Sequence, residues 1–340
     1  KNKTMADIAL RSPQFKTKIV GSGSVKSMQL TLNIDGTLRY TINKDITISN
    51  MVFEISELCR DYLTVNYTSN NYPQTITIIT TITSYDGVNG TGNVVGTPTV
   101  FNDVGWEAYG LYVNGSNPVN PVDTVVGTWL IAPIKSESYS VREFEIFAPI
   151  GEDGFVAGIT STGSVFSSYY NGTSTGISSS AVNENLKITR INCSKYGNGR
   201  KINFINQYGV GQDLWFSLKE TQSLSRKNEN YKANTLINDG SDPYYTLSNA
   251  PVKTFNTQAK KSYTLNSGYY PEGAVEYFEQ LLLSEYVWMI VYNKNNPASE
   301  LTIPVRVKSS SIELKKSVNN RLINYTIEFE DAFDYINNIR

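Results

Sequence analysis

Apolar and polar residues alternate cleanly from Met28. Met28, Leu30, Leu32 and Ile34 fall on one face, Asp35-Gly36 follows, and Leu38, Tyr40 and Ile42 resume the pattern. A period of two marks a half-buried strand, and Asp-Gly between two such runs predicts a tight hairpin. The period then changes. Phe53, Ile55, Leu58, Tyr62 and Val65 approximate helical spacing, with Ser56 placed to cap a short helix. Glu54, Glu57, Arg60 and Asp61 stand close enough in this segment for local ion pairs. Residues 74–84, QTITIITTITS, are rich in β-branched residues and uncharged. Such a strand needs a partner on each edge, either inside the fold or on a neighbouring subunit.

Further strands are predicted at Trp129, Leu130 and Ile131 and along Tyr139, Val141, Phe144, Ile146 and Phe147. Residues 151–183 are rich in Gly, Ser and Thr, which predicts a long hairpin or an excursion between domains. Leu186, Ile188 and Ile191 open the second half. In residues 200–232, Ile202, Phe204 and Tyr208 alternate with Asn203 and Gln207, the pattern of a strand with one wet face. Gly209 and Gly211 predict a turn. Leu214, Phe216 and Leu218 then alternate with Trp215 and Ser217. The resulting hairpin would bring Phe204, Tyr208, Leu214 and Phe216 together, each cross-strand aromatic pair adding roughly 0.2 to 1 kcal/mol. Turns are predicted at Asn238-Asp239-Gly240 and Ser241-Asp242-Pro243, and a strand over residues 264–270. Pro271 introduces the best helix, residues 272–283, with Val275, Phe278, Leu281 and Leu282 on one side. Residues 286–292, YVWMIVY, are apolar on both faces, as in a strand between layers. Strands around Val305, over residues 312–315 and over residues 322–329 close the pattern.

The predicted fold is therefore mainly β: two or three β-sandwich-like domains with a few short helices. Its divisions are an N-terminal arm (1–26), a β domain (27–150), a Gly/Ser/Thr-rich excursion or linker (151–185) and a C-terminal β domain (186–340). Composition agrees, with 23 Tyr and only 18% charged residues in 340. A net charge of −1 gives no broad electrostatic grip on nucleic acid, and no apolar run is long enough to span a membrane. The first fifteen residues lack the apolar core of a signal peptide.

Histidine is absent, which removes the commonest general base and every Ser-His-Asp or Cys-His arrangement. Cys59 and Cys193 are too few and too far apart for a disulfide framework and are expected to be free and buried. Glu143 with Glu145, Glu328 with Glu330 and Asp331 with Asp334 are carboxylate pairs of the kind a glycosidase needs, but nothing sets two of them across a cleft. The loop YDGVNGTGN lacks the acidic ligands of a calcium loop. GNGR and GVGQD complete no phosphate-binding motif. Trp106, Tyr109 and Tyr112 predict a loop anchor or, alternatively, a platform for sugar. Expected landmarks of core or interface are Tyr208, Trp215, Phe216, Trp106, Tyr109, Tyr112 and Trp288. No catalytic residue, cofactor or metal is predicted.

Several of these segments carry a resemblance. The FINQYG strand end, the GQDLWF turn and the basic strand after it are similar to structural proteins of tailed-bacteriophage virions infecting Bacteroidota and related marine bacteria. ISELCRDYL, KITRINCSKYGNGRKINFINQYG, and the ending from LLLSEYVWMI through NNRLINYTIEFEDAF to INNIR resemble the same family. Its aromatic segment before an E-G-x-N-P-like turn is matched in part: Val113-Asn114-Gly115 lacks the acidic residue. The resemblance implies a neck or tail component located in the virion and made in the bacterial host cytoplasm. Its implied partners are further copies of itself in a ring and other tail, neck or portal proteins. A carbohydrate-binding tail-fibre or surface module is the alternative it leaves open.

Overall fold

The structure is a computed structural model that describes residues 6–21, 23–109, 128–131, 133–134, 143–159, 164–177, 186–191, 199–238, 240, 242–292, 300–311 and 322–333. The first third contains β1 (Ala6–Ala9), β2 (Phe15–Ile19), β3 (Ser27–Ile34), β4 (Thr37–Asp45), β5 (Asn50–Glu54), helix α1 (Ser56–Arg60), β6 (Thr75–Tyr85) and β7 (Thr99–Trp106). Five of the strands form one sheet in the order β1-β7-β6-β3-β4. The predicted hairpin is present: Asp35 (φ 49°) and Gly36 (φ 76°) both take the left-handed conformation that a two-residue turn requires. Met28, Leu30, Leu32 and Ile34 point inward and pack with Ile76, Ile78 and Ile82 against Met51, Phe53, Ile55 and Cys59. The β2–β5 pair and α1 thus cover this sheet.

Three local expectations are corrected, and of the two readings of β6 the internal one is found. Within the segment 1–26 expected to be an arm, the described residues are built into the fold: β1 pairs in parallel with β7, β2 pairs with β5, and Leu10 lies in the core. Their hydrophobic positions were too sparse to show a period. α1 spans only Ser56–Arg60, and Ser56 does not cap it; the Glu54 carboxylate accepts the Ser56 N–H at 2.7 Å instead. Arg60 leaves its local neighbours for Glu107 and Glu285. The uncharged strand β6 is internal, flanked by β3 and β7. Burial, reinforced by the Glu54 and Asp103 carboxylates, pushes the Cys59 thiol up to about 12.

The middle of the chain supplies β8 (Thr128–Trp129), β9 (Pro133–Ile134), β10 (Glu143–Pro149), β11 (Gly154–Ile159), β12 (Val165–Tyr170), β13 (Gly176–Ile177) and β14 (Leu186–Ile191). A four-stranded sheet (β13-β14-β10-β9) and a three-stranded sheet (β12-β11-β8) enclose Trp129, Ile131, Phe144, Ala148, Val156, Tyr170, Leu186 and Ile188. Within residues 151–185, β11 and β12 form an antiparallel hairpin whose strands pair from Gly154↔Tyr170 to Ile159↔Val165.

The last part holds β15 (Arg200–Ile205), β16 (Gly211–Phe216), β17 (Glu220–Lys232), β18 (Val252–Asn266), β19 (Tyr270–Pro271), a 3₁₀ turn (Glu272–Ala274), α2 (Val275–Leu283), β20 (Val287–Tyr292), β21 (Glu300–Val307), β22 (Leu322–Ile323) and β23 (Thr326–Asp331). Seven of these strands make one antiparallel sheet, β16-β15-β20-β21-β23-β18-β17. Ala274, Tyr277, Phe278 and Leu281 lay α2 and its leading turn across one face of it. Phe278 is fully buried and its ring meets Tyr325 at 4.9 Å, Tyr270 at 5.2 Å and Phe216 at 6.2 Å. The fold is mainly β, as the alternation predicted.

The Phe278→Ala variant is expected to lose about 3 to 5 kcal/mol in urea unfolding; a loss below about 1 kcal/mol would remove this aromatic cluster from the core. Asp331 gives a pH-dependent expectation. Burial raises its carboxyl above the usual 3.8, against the opposing hydrogen bond from Tyr263 and the charge of Lys261. A folded pKa above the unfolded one means its contribution is fully present below about pH 4 and is lost as pH rises through the folded value. Asp331→Asn should therefore be more stable relative to wild type at pH 7 than at pH 3, read from paired thermal melts. An equal difference at both pH values would contradict it.

Candidate functional site

Two features stand out among the described residues: the junction where the first and last sheets meet, and a long ribbon that leaves the last sheet. The junction is built on the turn after β15. Asn206 closes it, its N–H donating to the Val210 carbonyl (3.0 Å) and its side-chain oxygen accepting the Tyr208 N–H (2.9 Å). The Asn206 amide nitrogen donates to the Leu130 carbonyl at 2.9 Å and to Gln212 Oε1 at 3.0 Å. Gly209 (φ 77°) then lets the turn press onto the first sheet, since a Cβ there would lie 2.4 Å from the Glu107 carbonyl oxygen and 2.5 Å from Trp106 Cδ1. The Trp106 indole N–H donates to the Tyr208 carbonyl at 2.9 Å, and the Tyr109 N–H donates to Gln207.

Beside this turn lies a charged clasp. Glu107 is 2% exposed and receives Arg60 through Nε and a terminal nitrogen, at 2.7 to 3.2 Å, and Arg11 Nε at 3.3 Å. Glu285, two residues past the end of α2, pairs with both arginines. The Glu107 hydrogen bonds raise Arg60 above its ordinary value, outweighing its desolvation. Arg11 also covers the Tyr109 ring at 4.4 Å. β1, α1, β7 and α2 are thereby tied together. A cleft of about 300 Å³ opens here, lined by Arg11, Tyr109, Ile205, Gln207, Gln280 and Leu283. Its cation is already matched by carboxylates, its lining holds no acid pair, and the hydroxyl of Ser284 in its wall donates to the Ile205 carbonyl at 2.8 Å.

A second polar seam lies on the far side of β15. Asn203 is 1% exposed and its amide nitrogen donates to Asn71 Oδ1 (2.8 Å) and Asp213 Oδ1 (2.6 Å), while Asn71 donates to the Phe155 carbonyl. The face of β15 expected to be wet is therefore closed. The covering elements supply a hydrogen-bond partner for each amide, so a polar residue sits in the interior without the usual penalty.

The ribbon is β17 with the outer part of β18. β18 pairs with β23 only over Ser262–Asn266. From Leu224↔Lys261 out to Lys232↔Val252 no third strand joins it among the described residues. These nine residues of β17 extend about 25 Å at 3.3 Å per residue. β17 is exposed along its whole length. Phe255 is the extra residue of a bulge opposite Glu229 and Asn230, and its ring meets Tyr231 at 6.2 Å. Phe255 and Leu224 are nearly 60% exposed, Tyr245 at the tip 70%, and Leu247 fully. No period flagged the outer half of β18, because a strand wet on both faces has no apolar side.

The predicted landmarks divide as follows. Trp106 (1%), Trp215 (0%), Phe216 (3%) and Trp288 (9%) are buried. The Trp106 ring is enclosed in the junction with Ala9, Ala108, Leu130 and Val210, which leaves no face on which a sugar could stack. Tyr208 packs on that same cluster rather than on the Phe204 side of the hairpin, because β15 ends at Ile205. Tyr109 is half-exposed under Arg11; Tyr112 lies outside the described residues, as do Cys193 and Asp334. Glu328 and Glu330 pair with Lys308 and Arg306 across neighbouring strands, and Glu145 with Lys187. The YDGVNGTGN loop is a turn in which Asp86 accepts the Asn93 N–H and side-chain amide. These Asn93 bonds hold the Asp86 carboxyl low. Among the described residues no group of His, Cys, Asp and Glu is arranged to hold a metal ion, and no helix is long and apolar enough to cross a membrane.

Comparison with known protein families, curated proteins and solved structures finds no match.

The junction makes a direct prediction. Gly209→Ala must place a side chain at positive φ against Glu107 and Trp106, costing about 2 kcal/mol or more, with Trp fluorescence shifting to the red at lower urea than in wild type. An unchanged unfolding midpoint would show that the turn does not bear on Trp106.

Proposed function

We propose that this chain is a structural subunit of a bacteriophage virion, in the neck or tail, working through subunit–subunit interfaces in a ring. The observation that carries this reading is the ribbon. A two-stranded hairpin is marginal in water on its own, and this one bears Leu224, Tyr231, Val252 and Phe255 in the open. Exposed apolar side chains on a ribbon that no third strand joins among the described residues mark a surface meant for a neighbour. The body behind it is tied by buried polar seams and a charged clasp, which suits a block that holds its shape while the ribbon reaches out. The resemblance of the FINQYG, GQDLWF and C-terminal segments supplies the context of a phage particle.

In purified particles of the source phage, antibodies against the chain should label the neck or tail, and its copy number per particle should be fixed. Its absence from washed particles would contradict the proposal.

A further inference from the structure

We infer that the ribbon docks on a second copy of this chain, lying over the outer face of α2. The inference rests on the assembly reading of the ribbon and names the partner. Charge is split unevenly along the chain: residues 224–261 hold six Lys and Arg against three Asp and Glu, net +3, which leaves −4 for the remainder of a chain whose total is −1. A basic projection on an acidic body is complementary to another copy of itself.

The ribbon's faces sharpen the match. Lys227, Glu229 and Tyr231 alternate onto one face of β17, and Lys253 stands opposite Tyr231 on the same face. That face presents two lysines against one carboxylate, Glu229, along with the Tyr231–Phe255 ring pair. On the body, no Lys or Arg occurs over residues 262–293, while Glu272, Glu276 and Glu279 recur at helical spacing along α2 and its leading turn. Tyr269 (63% exposed) and Leu283 (74% exposed) stand at the two ends of that row. Basic groups around an aromatic pair thus meet acidic groups flanked by apolar ones. Donor and receiver are different surfaces of one molecule, so each copy gives a ribbon and accepts one, the head-to-tail geometry that generates a ring where the rotation closes and a filament where it does not.

The test uses the full chain in sedimentation velocity at low and high salt, with circular dichroism confirming that each variant is folded. The wild type is expected to self-associate and to weaken as salt rises. Lys227→Glu with Lys253→Glu should reduce association about tenfold or more. Adding Glu272→Lys and Glu279→Lys to that variant should restore it. A monomeric wild type, or association untouched by the lysine reversals, overturns the inference; loss without restoration overturns α2 as the receiving face. If association vanishes with the lysine reversals but the chain is missing from particles, the virion reading falls and the docking stands. If the chain is in particles and the reversals change nothing, the docking falls alone.

Discussion

A buried carboxylate that cannot be left alone shapes this molecule. Glu107 is almost wholly removed from water, and an uncompensated charge there would cost several kcal/mol. Its two guanidinium partners come from the end of β1 and from α1, and Glu285 ties the same arginines to α2. Such a cluster adds little net stability over a well-packed apolar one, but wrong arrangements strand a charge and are penalised. It holds β1, α1 and the end of β7 in one arrangement, and the half-exposed Glu285 reaches the same arginines from the last part of the chain. The adjoining turn repeats the constraint sterically, since only a glycine at position 209 lets the backbone come so close to Glu107 and Trp106.

What the sequence disclosed follows from what each residue touches. β3 and β4 were legible because one face is apolar and Asp35-Gly36 has a conformation few other pairs adopt. β20 was legible because both of its faces are covered. The helix of residues 272–283 was legible in extent, although its inward face uses Tyr277 and Gln280 alongside Phe278 and Leu281. The clasp was hidden: Arg60 lies 47 residues from Glu107 and 225 from Glu285, and the local carboxylates offered a simpler pairing. Asn203 was hidden for a related reason. A buried amide looks like a solvent-facing one until its partners Asn71 and Asp213 are in place.

The ribbon was the least legible part and matters most for function. Its strands satisfy their backbone groups with each other while leaving side chains in water, so neither a hydrophobic period nor a core contact announces them. The sequence showed polar residues interleaved with a few large apolar ones. Only the pairing of β17 with β18 reveals that Tyr231, Val252 and Phe255 stand together at the outer end of the ribbon. The proposed role follows from the contrast between a body whose polar interior groups hold one another and a projection whose apolar groups stand exposed.

Hydrogen–deuterium exchange of residues 220–261, compared between the isolated chain and the assembled particle, tests that contrast most directly. A ribbon made for a neighbour exchanges fast in its outer half when the chain is alone and becomes protected on assembly, while β15 and β20 stay protected in both. Equal exchange of the outer ribbon in the two states would contradict the account.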